Sequence, residues 1–150
     1  MAVDDTTQPL VGLLLRLANQ RWSAEMDAEL ADLGVLGLTA AHARVIPFVP
    51  PEGASIQDLA RKAKVRKQTM AQSVDQLIAA GVVERRPDPH DRRASLIVLT
   101  PAGQAIRPKS HKAGRVVERV WATEHGDERL EALRRALIEL VGYDKPTDPA

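Results

Sequence analysis

The sequence has no cysteine among its 150 residues, which excludes disulfides, thiolate nucleophiles, thiol redox sensing and cysteine-bound zinc together. Aromatic residues are almost as scarce. Two tryptophans, one tyrosine and one phenylalanine give an RNA-binding surface little on which to stack bases. No run of eighteen apolar residues occurs, and the N-terminus MAVDDTTQPL is acidic and polar where a secretory leader would be basic and then apolar. The expectation is a soluble, cytoplasmic protein with no membrane partner. The four histidines, His42, His90, His111 and His125, include no i, i+4 pair, so no metal site is expected. A glycine-rich phosphate loop, Gly-x-Ser-x-Gly and His-Glu-x-x-His are all missing, so neither an enzyme nor a cofactor is expected.

What is present is an uneven distribution of charge. The net charge is only +1, yet residues 1–60 carry −5 and residues 61–93 carry +5, with Arg61, Lys62, Lys64, Arg66, Lys67, Arg85, Arg86, Arg92 and Arg93 in that middle segment. Such a concentration is the footprint of a protein whose middle portion meets phosphates. Charge alone does not separate that reading from an ordinary solvated surface.

Hydrophobic periodicity predicts helices almost throughout, with one interruption. A first helix over about 8–33 is apolar around much of its circumference early on (Leu10, Val11, Leu13, Leu14, Leu15, Leu17, Ala18) and so wants cover on more than one side. Gly34 to Leu38 breaks it. Thr39 is a candidate N-cap for a helix over Ala40 to Val49, which the Pro50-Pro51-Glu52-Gly53 turn ends. Ser55 and Asp58 resemble a capping box opening a short helix from Ile56 to Ala63. Lys64-Val65-Arg66 makes a tight turn, a further helix runs to Ala80, and Gly81 stops it. The period then changes: Val82 to Arg86 and Ala94 to Leu99 read as two antiparallel strands around the tip Asp88-Pro89-His90-Asp91. Thr100-Pro101 restarts helix, Pro108 is expected to kink or restart it, and a last helix over about Asp127 to Val141 puts Leu130, Leu133, Leu137, Leu140 and Val141 on one stripe. Residues from Tyr143 onward read as a frayed tail.

Two short helices, a tight turn and a hairpin are the parts of a winged helix-turn-helix, which lays its second helix in the DNA major groove. At 100° per residue over residues 67–80, Met70, Val74, Leu77 and Ile78 share one face. Gln68, Gln72 and Gln76 line the opposite one, with Thr69 and Ser73 on a flank. Glutamine offers a donor and an acceptor together and pairs in this way with adenine N6 and N7. On an isolated helix such a stripe is ordinary solvated surface. Here the helix opens with Arg66 and Lys67, where its N-terminal amides would also face a phosphate. The hairpin tip carries His90, Arg92 and Arg93, placed to reach a neighbouring minor groove. Asp91 has the wrong sign for phosphate and is assigned as a turn-former that orients an arginine.

The ordered pieces Leu38-Thr39, Ser55-Ile56-Gln57-Asp58-Leu59-Ala60, Val74-Asp75-Gln76-Leu77, Ala80-Gly81-Val82-Val83-Glu84-Arg85, Asp91-Arg92-Arg93 and Val98-Leu99-Thr100-Pro101-Ala102-Gly103 together resemble the MarR family of bacterial transcriptional regulators over roughly residues 38–105. The resemblance implies a mainly α fold with a small β-hairpin wing. In that scheme residues 1–37 form an N-terminal dimerisation helix, 38–100 the winged helix-turn-helix DNA-binding domain, and 101–150 the C-terminal dimerisation helices and tail. It implies a homodimer on a near-palindromic operator in double-stranded DNA, Arg93 as the minor-groove residue, and Asp75 as a brace for the wing through Arg93. It further implies a small aromatic or phenolic effector between the dimerisation region and the lobe, for which Arg16, Trp22 and His42 are the candidates. Arg16 equally suits an intersubunit salt bridge, and Trp22 suits the core. Independently of the family, the apolar surface of the first and last helices exceeds what one small lobe covers, which C2 pairing would solve. The expected function is a sequence-specific DNA-binding regulator, a repressor released by a small aromatic or anionic ligand. The rival is a winged helix used for protein contacts without specific DNA readout.

Overall fold

The computed structural model describes residues 7–32 and 44–143. The break at Gly34 to Leu38, the Thr39 cap, the start of the helix predicted from Ala40 and the tail beyond Tyr143 lie outside the described residues.

Helix α1 runs Val11–Asp32. The chain re-enters with Arg44 and Val45 helical and tightens into a 3-10 turn, Ile46–Phe48, because Pro47 brings no N–H to a longer helical ladder. Gly53 N–H closes the following turn on the Pro50 carbonyl at 2.9 Å. Ser55 then caps α2, Ile56–Ala63, its hydroxyl accepting the Asp58 N–H at 3.1 Å. Lys64 takes up the left-handed conformation (φ 54°) that reverses the chain into α3, Lys67–Ala79. Gly81, at φ 73°, turns α3 into the hairpin of β1, Val83–Asp88, and β2, Asp91–Leu99. Helix α4 spans Pro101–His125 and α5 spans Asp127–Val141.

Two expectations need correction. The strands reach further into the tip than sequence pattern indicated, because β2 begins at Asp91 and so includes both tip arginines. Pro108 does not restart the helix: α4 continues through it as one element. The missing N–H deprives only the Gln104 carbonyl of its helical partner, and Gln104 is exposed to water.

Among the described residues two apolar cores result. Val45, Leu59, Met70, Val74, Leu77 and Ile97 fill the lobe formed by α2, α3 and the hairpin. Met26, Leu30, Ala113 and Val117, with Trp22 and Trp121 beside them, join α1 to α4. Helix α4 leaves the lobe at a close approach. Thr100 caps it by accepting the Gly103 N–H at 3.1 Å, and a Cβ on Gly103 would stand 2.0 Å from the Val82 carbonyl oxygen. At its far end, Arg21 pairs with Glu25 and Glu124, 2.6 Å each, and Trp121 Nε1 donates to Glu25 at 2.6 Å. The Arg21 guanidinium holds the Glu25 carboxyl below the usual carboxylate range, with the indole donor assisting. Arg134 of α5 reaches Glu118 of α4 at 3.0 Å, and Lys64 donates to the Val141 carbonyl at the end of α5. Among the described residues no helix is long and apolar enough to cross a membrane.

Candidate nucleic-acid interface

Burial along α3 sorts its side chains by angle. Met70, Val74 and Leu77 are fully covered, which fixes the helix against the lobe and leaves Gln68, Gln72 and Gln76 exposed on its outer side. Arg66 occupies the N-cap position with extended backbone and no side-chain capping bond, and Arg66 and Lys67 are both exposed. The first amides of α3 are therefore flanked by cations and open to an anion. Thr69 is half-buried. Ser73 is corrected outright. It is only 2% exposed, since it lies about 60° from Met70 on the helical wheel, and it is removed from the outward face.

The hairpin tip is irregular in a way that serves its arginines. Pro87 pairs with Ser95 but Asp88 pairs with Asp91, so Arg92, Arg93 and Ala94 have no opposite number on β1. An extra loop of strand of this kind bends the edge and re-aims its side chains. Both tip aspartates fold it: Asp88 accepts the His90 N–H at 2.8 Å and Asp91 accepts the Arg93 N–H at 2.9 Å. His90, Arg92 and Arg93 are exposed, and among the described residues neither Arg92 nor Arg93 forms a salt bridge.

The brace expected between Asp75 and Arg93 is not formed. Asp75 pairs instead with Arg85 at 3.3 Å. The reason is position: Arg85 lies opposite Ile97, well inside the paired part of the hairpin and beside α3, whereas Arg93 lies at the tip. Arg86 is occupied by Glu84 at 2.5 Å. Of the hairpin arginines, the sequence reading assigns only Arg92 and Arg93 to the wing, and the structure pairs the other two, Arg85 and Arg86, with carboxylates.

Of the candidate effector residues, Arg16 and Trp22 do not share a site. His42 lies outside the described residues. Arg16 is exposed, and it lies about 120° around α1 from Trp22. Trp22 stands edge-on to Trp121 with ring centres 5.6 Å apart. It lines a groove of about 710 Å³ between α1, α4 and α5, with Leu15, Trp121, Leu130, Leu137 and the Glu118–Arg134 pair, and Arg16 takes no part in it. Around and beyond this groove, Leu10, Leu14, Leu17, Leu133, Leu140 and Val141 are exposed at 46–80%. Among the described residues no cluster of His, Asp and Glu is arranged to hold a metal.

Comparison with known proteins agrees with this geometry. A family model described as MarR family matches residues 36–94. The multiple antibiotic resistance protein MarR of Salmonella typhimurium is 28% identical over 103 residues, which span 68% of this chain and 69% of that one. A probable transcriptional regulator from Pseudomonas aeruginosa superposes with a TM-score of 0.73 at 27% identity, over 87% of this chain and 96% of that one. CouR from Rhodococcus jostii RHA1, in a structure bound to p-coumaroyl-CoA, shares the fold with a TM-score of 0.68 at 21% identity, over 98% of this chain and 96% of that one. With the winged lobe, the matched segment and these relatives in agreement, the chain is similar to the MarR family of transcriptional regulators, the family match falling on its winged lobe.

Proposed function

We propose that the chain is a sequence-specific regulator of transcription, a repressor, that grips a near-palindromic operator in double-stranded DNA as a homodimer in the bacterial cytoplasm. One observation carries the reading. The exposed amides of Gln68, Gln72 and Gln76 share the lobe with two exposed tip arginines that form no salt bridge among the described residues. Glutamine reads adenine edges in the major groove, and unpaired guanidinium groups suit the negative potential of a narrow minor groove. Arg66, Lys67 and the first amides of α3 supply phosphate contacts, with Thr69 at the margin. His90 sits beside the arginines and joins them on the backbone.

The exposed leucines of α1 and α5 support the dimer. Apolar side chains left open at nearly half their area or more, on two helices of one bundle, match a second copy of the same surface. A small aromatic effector is the finer part of the reading. Its support is Trp22 and Trp121 in the groove and the aromatic acyl ligand of CouR.

The test is selection of bound duplexes from a random pool by the parent protein and by Gln72→Ala. The reading predicts an inverted repeat for the parent and relaxed preference at one position of each half-site for the variant. Identical consensus sequences would remove Gln72 from the readout. Failure of the parent to enrich any sequence would favour the rival, a winged helix used for protein contacts.

A further inference from the structure

Helix α4 carries four unusual features within five residues at the point where the two cores meet. Among the described residues, Ile106 is the side chain that packs against both the lobe core and the α1–α4 core. Next to it, Arg107 Nη2 donates to the carbonyls of Ile46 and Val49, 2.7 Å each. Those carbonyls belong to the first residue of the 3-10 turn and to the residue that follows it, and carbonyls directed toward the C-terminal end of such a turn attract a cation. Next again, Pro108 removes the N–H that would bind the Gln104 carbonyl, and a helix lacking one rung bends there most easily. Two residues on, the Ser110 hydroxyl is buried without a partner among the described residues. The serine hydroxyl in a helix can bond the carbonyl four residues back, here that of Ile106, and that bond accompanies a bend.

From these observations we infer that residues 106–110 are the hinge between the DNA-binding lobe and the helical bundle, and that Arg107 is the positioning residue that holds this hinge at one angle. Proline supplies the compliance, and the two bonds of Arg107 to lobe backbone oppose it. Ser110 carries a bond unmade in the present arrangement and available in a more bent one. A change at the bundle, where α5 also touches the lobe through Lys64 and the Val141 carbonyl, would reach α3 through this joint. The consequence for DNA binding rests on the regulator reading. The hinge itself does not.

The absence of cysteine makes a direct test clean. Cysteines are introduced at exposed Gln57 on α2 and exposed Arg135 on α5. The doubly spin-labelled chain is diluted into excess unlabelled chain, and the distance distribution within one chain is measured without DNA. Arg107→Met should broaden the distribution relative to the parent, Pro108→Ala should narrow it, and Arg107→Met/Pro108→Ala should be narrower than Arg107→Met alone. An unchanged width in Arg107→Met overturns the positioning role. Should that variant fail to fold, an unchanged width in Pro108→Ala overturns the hinge by itself. Operator affinity is read in parallel: Arg107→Met should bind several-fold more weakly, although the residue touches no DNA. A parent that binds no DNA, beside a broadened Arg107→Met distribution, would discard the regulator reading and leave the hinge standing. A parent that binds DNA beside unchanged distributions would do the reverse.

Discussion

Replacing Leu17 by alanine should weaken the homodimer by a factor that the structure allows to be worked out. Leu17 is 47% exposed in the single chain, although it lies in a helix whose neighbours Leu10, Leu13 and Leu14 are exposed as well. Burying a leucine side chain completely is worth about 1.5–3 kcal/mol. The half still open is then worth roughly 1 kcal/mol if the partner covers it. In a C2 dimer every contact occurs twice, so the loss comes to about 2 kcal/mol, or roughly thirtyfold in the dissociation constant. Sedimentation equilibrium over a dilution series measures that constant directly. Leu17→Glu should do more, because it would bury an unpaired carboxylate at the interface. A dissociation constant unchanged in both variants would refute the argument that this apolar face meets a second copy.

Two further outcomes follow from the packing and from the charge pairs. Gly103→Ala places a Cβ 2.0 Å from the Val82 carbonyl oxygen. Backbone must move to admit it, so urea denaturation should show a loss of about 1–3 kcal/mol or more, and a neutral result would rule out the close approach of α4 to the hairpin. Glu118 lies below its ordinary value of 4.5, chiefly because Arg134 donates to it, while burial works in the opposite direction. A lowered carboxylate contributes stability that is whole above pH 4.5 and is lost as the pH falls through its folded value. Arg134→Met should therefore reduce stability near neutrality and flatten the acid-induced loss, seen as a smaller difference in melting temperature between pH 7 and acid than in the parent.

Patterns tied to local chemistry were legible in the sequence. Ser55 and Thr100 cap their helices, Gly81 turns the chain at positive φ, and the buried face of α3 falls where a period of 3.6 puts Met70, Val74 and Leu77. What escaped depends on neighbours distant in sequence. Ser73 is polar by type, yet only the packed lobe decides that a side chain about 60° from Met70 is covered. The register of β1 against β2, and with it the choice of Arg85 over Arg93 as the partner of Asp75, is set by the irregularity at Pro87 and Asp88, which carries no sequence signature of its own. Proline in mid-helix predicts the lost hydrogen bond but not its cost, and the cost is small where water reaches the freed carbonyl. Arg107 carries no sequence signal, because its partners are two backbone carbonyls that only the fold, through the 3-10 turn ending at Phe48, brings within its reach.

The central claim is that α3 and the hairpin tip occupy adjacent grooves of one duplex, and dimethyl sulfate probing of the selected operator tests it most directly. The reagent marks guanine N7 in the major groove and adenine N3 in the minor groove. The account predicts two protected major-groove segments centred about 34–36 Å apart, each flanked on its outer side by protected adenine N3 positions. With Arg93→Ala, affinity should fall by about 1–3 kcal/mol and only the flanking adenines should become reactive. Flanking adenines that stay reactive under the parent protein, or that remain protected under Arg93→Ala, would contradict it.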